Sequence, residues 1–258
     1  MIHSKDFFDL QMTFAEKVAS LSGTSLEQSL LDYTNLYVRF GLGRDFDCRH
    51  PVWLEYLSGL ANPVDLREWT YRFFLTRPRD IQPPSVAATF GCFSYAKLSD
   101  EHIRLHFHNA EATGRSPLSI ECFDARLAEL RSLFQHVERT RQAARKVAGV
   151  SWLYNLTAYR RLFPPSYPAT ARVAAPRFRN MPLWGQFLDR HGAVRESMAV
   201  PFLQRLSHQT DVNGMARCFP LQAMAVEAPV SDFHAFYEKH GDARTSVSGK
   251  ILPGGIDR

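Results

Sequence analysis

The sequence predicts a mixed α/β chain: a helical amino-terminal segment, then a mixed central sheet flanked by helices. Three observations carry that expectation. Apolar side chains in residues 1–80 recur at spacings of three and four, the period of a helix face. The stretch 77–84 concentrates proline and arginine and breaks that period. Beyond it, short β-branched and aromatic runs alternate with new helical stripes. The expected organisation is therefore a helical segment over 1–80, an α/β domain over 84–241 and a mobile Ser/Gly-rich tail over 242–258.

Taken in order, Phe7, Leu10, Phe14, Val18 and Leu21 lay one stripe along a first helix. Thr24 and Glu27 have the spacing of a capping box. They precede a second stripe, Leu26, Leu30, Tyr33, Tyr37 and Phe40, which Gly41 stops. His50-Pro51 and Asn62-Pro63 each put proline where a first helical turn tolerates it, ahead of Trp53, Tyr56, Leu57 and Leu60 and then Leu66, Trp69 and Phe73. After the break, 85–96 and 102–109 read as a hairpin around a turn at 97–101. Phe123, Leu127, Leu130, Phe134 and Val137 mark a helix, 147–153 a strand and 157–163 a short helix. Residues 172–175 and 219–226 read as strands. Between them, 183–190 is a helix stopped by Gly192, and Val194, Met198, Phe202 and Leu206 mark another; Val230, Phe233, Phe236 and Tyr237 mark a last one.

Composition excludes some classes. The cysteines Cys48, Cys92, Cys122 and Cys218 contain no CxxC pair, so reduced thiols are expected. Charges interrupt the amino-terminal apolar residues, and no stretch approaches the roughly 18 apolar residues of a membrane span. A cytoplasmic protein without a membrane partner is expected. The net charge of +5 favours anionic partners in general. Its densest stretch, with Arg131, Arg139, Arg141, Arg145 and Lys146, reads as a solvated helix face rather than a nucleic-acid site.

Candidate chemistry concentrates in LHFHNAEATGRSPLS, residues 105–119, where a strand enters, a glycine-containing loop follows and a helix leaves. Backbone amides in such a loop and at a helix start point toward anions, and Arg115 adds a formal charge. The same layout also serves as an ordinary strand-to-helix connection. His106 and His108 share a strand face by alternation. They read as a general base, as metal ligands lacking a third donor, or as packed side chains. Tyr154 and Tyr159, after the 147–153 strand, read as proton donors or as buried tyrosines with a hydrogen-bonded tip. Ser151 lacks a GxSxG context, and Arg190-His191-Gly192, late in the chain beside a helix stop, reads as surface.

LHFHNAEATGRSPLSIEC, then VSWLYNLTAYRRLFPPSYP and the Phe178 region, together resemble the carboxy-terminal domain of bacterial GNAT-like acyltransferase-domain proteins. The matching residues are Leu105-His106, Pro117-Leu118-Ser119, Cys122, Ser151-Trp152-Leu153 and Pro164-Pro165, in order, over about residues 84–180. Residues 109–113 depart from the family's basic, glycine-rich turn, Tyr154 stands where an aliphatic residue is expected, and Tyr167 falls beyond the next polar pair. The resemblance implies a GNAT-like mixed sheet and an acyl-CoA-dependent N-acyltransferase acting on a small-molecule or peptide amine, with acyl-CoA as co-substrate and no metal. It places Thr113, Gly114, Arg115 and Ser116 near the acyl-CoA pyrophosphate. His106 or His108 would deprotonate the amine, and Tyr154 or Tyr159 would protonate the departing sulfur. Two other classes remain: a catalytically inactive member that binds a ligand or partner, and a metal- or phosphate-dependent enzyme built on the histidine pair, with His102 or Glu111 as a further candidate.

Overall fold

The structure, a computed structural model, describes residues 2–43, 45–61, 65–77, 86–111, 114–174 and 181–245, with the backbone alone at 181 and 241–245. The sequence readings that fall on Asn62-Pro63, on 78–85, on Thr113, on the Phe178 region and on 246–258 lie outside the described residues. The fold is mixed α/β, with helices flanking a six-stranded sheet whose strands lie side by side in the order Ala88–Phe90, Phe93–Lys97, His102–Phe107, Lys146–Ser151, Met224–Pro229 and Arg172–Val173. The chain divides into two compact units: 1–84, 150–155 and 173–224 form one, and 85–149, 156–172 and 225–258 the other.

The first unit opens with α1 (Lys5–Ser22), whose stripe Phe7, Leu10, Phe14 and Val18 is buried, and Gly23 ends it at φ 71°. The expected second helix breaks in two, α2 (Leu26–Tyr33) and α3 (Leu36–Arg39). Thr34 between them is extended. Its hydroxyl bonds to the Leu30 carbonyl at 2.5 Å, while the Gln11 side chain accepts the Asn35 amide at 2.8 Å. Ser25, not Thr24, caps α2, accepting the Gln28 amide at 3.2 Å. Next come α4 (Pro51–Leu60), begun by Pro51 as expected, and α5 (Leu66–Leu75), capped by Asp65. The predicted helix at 183–190 is a 3-10 segment, Met181–Phe187, followed by a bridge between Leu188 and Val194; α9 (Glu196–Ser207) comes later in the chain. Leu183, Trp184, Phe187, Phe202, Met215 and Phe219 share one buried cluster with the α1–α5 side chains. The amino-terminal helices therefore close their core with residues some two hundred positions downstream, which the contiguous 1–80 and 84–241 division does not anticipate.

Most of the sheet belongs to the second unit. A turn at Gly91-Cys92 splits the first predicted strand into β1 (Ala88–Phe90) and β2 (Phe93–Lys97), so the expected hairpin is a three-stranded antiparallel meander with β3 (His102–Phe107). The helix α6 (Phe123–Thr140) then carries the chain to β4 (Lys146–Ser151), which pairs with β3 in parallel. Short helices α7 (Thr157–Arg160) and α8 (Ser166–Ala169), strand β5 (Arg172–Val173) and strand β6 (Met224–Pro229) follow. The last helix, α10 (Val230–Thr245), continues four residues past the predicted start of the tail.

Candidate functional site

The parallel pair β3 and β4 is the feature that sets up a site. Antiparallel neighbours are joined by turns, but a parallel neighbour requires a crossover, here α6. The described residues of the connection leaving the carboxyl end of β3, 108–111 and 114–119, lie at the sheet edge where α/β proteins place ligands. Gly114 there has φ 73°, a left-handed conformation that glycine adopts without strain, and a Cβ at this position would meet nothing within 4 Å. Arg115 and Ser116 are exposed. Successive turns, Ser119 amide to Ser116 carbonyl at 3.0 Å and Cys122 amide to Ser119 carbonyl at 3.2 Å, wind the chain into a 3-10 turn, Ile120–Cys122, and then α6.

A second cation, at the residue capping the end of α7, reaches the connection. Arg161 directs Nη2 to the Leu118 carbonyl at 3.5 Å and stacks its guanidinium 4.8 Å above the Phe123 ring. The helix start itself already holds a negative charge. The Ser119 hydroxyl, and then Glu121's own backbone amide, keep the exposed Glu121 carboxyl below the usual carboxylate range.

Beneath the connection lies a buried ionic network. The Arg126 guanidinium, one turn into α6, lies 2.7 Å from the Glu129 carboxylate and 3.4 Å from that of Glu111 in the connection, and it donates to the Cys92 sulfur. The Cys92 amide donates to Glu129 at 3.0 Å, and the Cys122 thiol lies 3.6 Å from Glu111. Arg126, Cys92 and Cys122 are all buried. Burial pushes the Cys92 thiol up, against the opposing pull of the Ala110 amide and Arg126, so it remains a neutral thiol. Burial likewise raises the Glu129 carboxyl, against the Cys92 amide and Arg126.

Comparison with protein-family models, curated proteins and solved structures returns no match for this chain. The site therefore rests on its own geometry.

The sequence-predicted residues are distributed as follows. Gly114, Arg115 and Ser116 sit together in the connection, and Thr113 lies outside the described residues. His106 faces Ser94 across the β2–β3 ladder. Alternation puts it on the sheet face opposite Phe93, Tyr95, Leu105 and Phe107. His108 follows the strand end, where its amide donates to the Cys92 carbonyl at 3.0 Å; desolvation holds its imidazole below the ordinary value. Tyr159 is buried in an aromatic layer, 5.5 Å from Phe107, 5.0 Å from Phe163 and 6.4 Å from Phe93 between ring centroids. Tyr159 thus lies on the Phe107 face, and the ladder does not bring it together with His106. Tyr154 is buried and groups with the first unit. Among the described residues no group of three or more His, Cys, Asp or Glu side chains is arranged to hold a metal ion, so the histidine pair gains no third ligand there. No helix among them is long and apolar enough to cross a membrane.

The grouping of Cys92, Glu111, Arg126 and Glu129 escaped the sequence reading, which took Cys92 as a reduced thiol and Glu111 only as a candidate partner of the histidine pair. Arg126 and Glu129 flank the buried Leu127 and Leu130 on α6, and a charge beside an apolar stripe was the one available sign that it is buried. Nothing in their spacing pointed to Glu111 or to a turn some thirty-five residues upstream.

Proposed function

We propose that the second unit is an acyl-CoA-dependent N-acyltransferase whose co-substrate pyrophosphate is held by the connection after β3, with a small-molecule or peptide amine as acceptor. The observation that carries this reading is the β3–α6–β4 crossover. Its loop leaves the carboxyl end of a parallel strand and has an open glycine turn at Gly114 and a cation at Arg115, and Arg161 reaches the Leu118 carbonyl from the segment after α7. Gly114 and Ser116 lend amides, and Arg115 lends charge, to a phosphate.

In this reading the amine nitrogen attacks the thioester carbonyl, the C–S bond breaks and CoA leaves as thiolate. The amine proton goes to His108, whose lowered pKa favours the neutral, proton-accepting imidazole near pH 7. Free thiols have a pKa of about 8.5, so the departing sulfur takes its proton from water without a dedicated acid. This matches the burial of the Tyr159 hydroxyl.

A ligand-binding protein without turnover is the second reading, favoured by the Glu121 carboxylate already seated at the helix start. Calorimetry with acetyl-CoA, longer acyl-CoAs and free CoA, followed by an amine screen for CoA release, separates the two. Binding with turnover that falls at least tenfold in His108→Ala supports the transferase. Binding without turnover supports the second reading, and no binding to any CoA overturns both.

A further inference from the structure

We propose that Arg126 is a positioning residue for the connection after β3, described at 108–111 and 114–119, acting through Glu111 to anchor it to α6. This inference rests on the acyl-CoA reading only for the identity of the ligand.

Arg126 projects from a rigid helix, and its side chain is 6% exposed. It joins two pieces of chain to α6. Through Glu129 and Cys92 it holds the β1–β2 turn, and through Glu111, whose side chain is 10% exposed, it holds the connection itself. Cys122, the residue that caps α6 one turn before Arg126, contacts the same Glu111 oxygen, Oε2, so that carboxylate is held both at the helix cap and one turn into the helix. The exposed turn at Gly114, Arg115 and Ser116 begins three residues after Glu111, and Gly114 gains no support from atoms above it. A flexible turn presented to a ligand binds more tightly when its ordering cost has been met before binding. A buried ion pair at its base supplies that order.

Glu111 and Glu129 serve as matched probes, because both are carboxylates on Arg126 and only Glu111 belongs to the connection. In the full chain, Glu111→Gln is expected to speed hydrogen exchange at the amides of 108–111, 114–116, 118 and 119 about tenfold, the scale of one hydrogen bond to a charged group. It is expected to weaken CoA binding by a similar factor. Glu129→Gln is expected to leave both loop readouts at the wild-type level even where the melting temperature falls. Glu111→Asp, which keeps the charge one methylene short, is expected to move exchange in the same direction by less, and it replaces the glutamine variant should that one not fold. Equal loop effects from the Glu111 and Glu129 variants, or no loop effect from either, would overturn the proposal. Selective exchange at the loop in a protein that binds no CoA would sustain the positioning role and remove the acyl-CoA reading.

Discussion

Trp184 donates its indole N–H to the backbone carbonyl of Tyr33 at 3.1 Å, tying residues 151 positions apart in the sequence. The bond lies within the first unit, where the Trp184 ring packs 5.6 Å from Phe14 and 5.1 Å from Phe219. Helices whose apolar faces are completed by distant residues do not bury enough surface alone. A fragment of residues 1–80 is therefore expected to be largely unfolded, judged by a broad thermal transition and poorly dispersed amide resonances. A cooperative transition near that of the full chain would contradict the shared core.

Arg126 neutralises two carboxylates out of solvent, so Arg126→Met is expected to cost about 3–5 kcal/mol at pH 8 by denaturant unfolding. The deficit has a direction with pH. Without the guanidinium, the Glu129 carboxyl pKa in the folded state rises further above its unfolded value, so the folded protein binds more protons as the pH falls. The gap to wild type is expected to narrow from pH 8 toward pH 5, and a gap independent of pH would place the cost in packing.

Gly91 has φ 55°, and a Cβ there would collide with the Glu129 carboxylate. Gly91→Ala thus adds backbone strain to displacement of the network, and a loss of roughly 1–3 kcal/mol is expected. Gly114→Ala shares the left-handed φ but meets no neighbour, so unfolding titrations are expected to show the smaller loss there.

His3 is buried between Phe7 and Phe74, and its Nδ1 has no hydrogen-bond partner among the described residues. Burial, and then the Arg39 charge, push its pKa from 6.5 down to about 3. The unfolded chain protonates first on acidification, so stability present above pH 6.5 is lost progressively as the pH falls toward 3. The slope approaches at most about 1.4 kcal/mol per pH unit from this one group. His3→Phe is expected to flatten the curve between pH 6 and pH 4 relative to wild type, measured by urea unfolding, and parallel curves would contradict a neutral buried His3.

What the sequence by itself determined was local. The α1 stripe, the proline at the start of α4, the α6 stripe and the change of period after the break are each written in neighbours three, four or two positions apart, because those spacings set which side chains share a face. The strand–loop–helix at 102–140 was legible for the same reason, and with it the exposed turn at Gly114, Arg115 and Ser116. The break at Thr34 was not, because a distant side chain, Gln11, competes for the Asn35 amide. Tertiary structure alone decided that β3 and β4 run parallel, that Tyr159 faces away from His106, and that residues 183–219 seal the amino-terminal core. It alone gathered Cys92, Glu111, Cys122, Arg126 and Glu129 around one guanidinium. Buried charges must find partners wherever the fold brings them, and side-chain spacing along a chain does not encode which distant turn will supply the carboxylate.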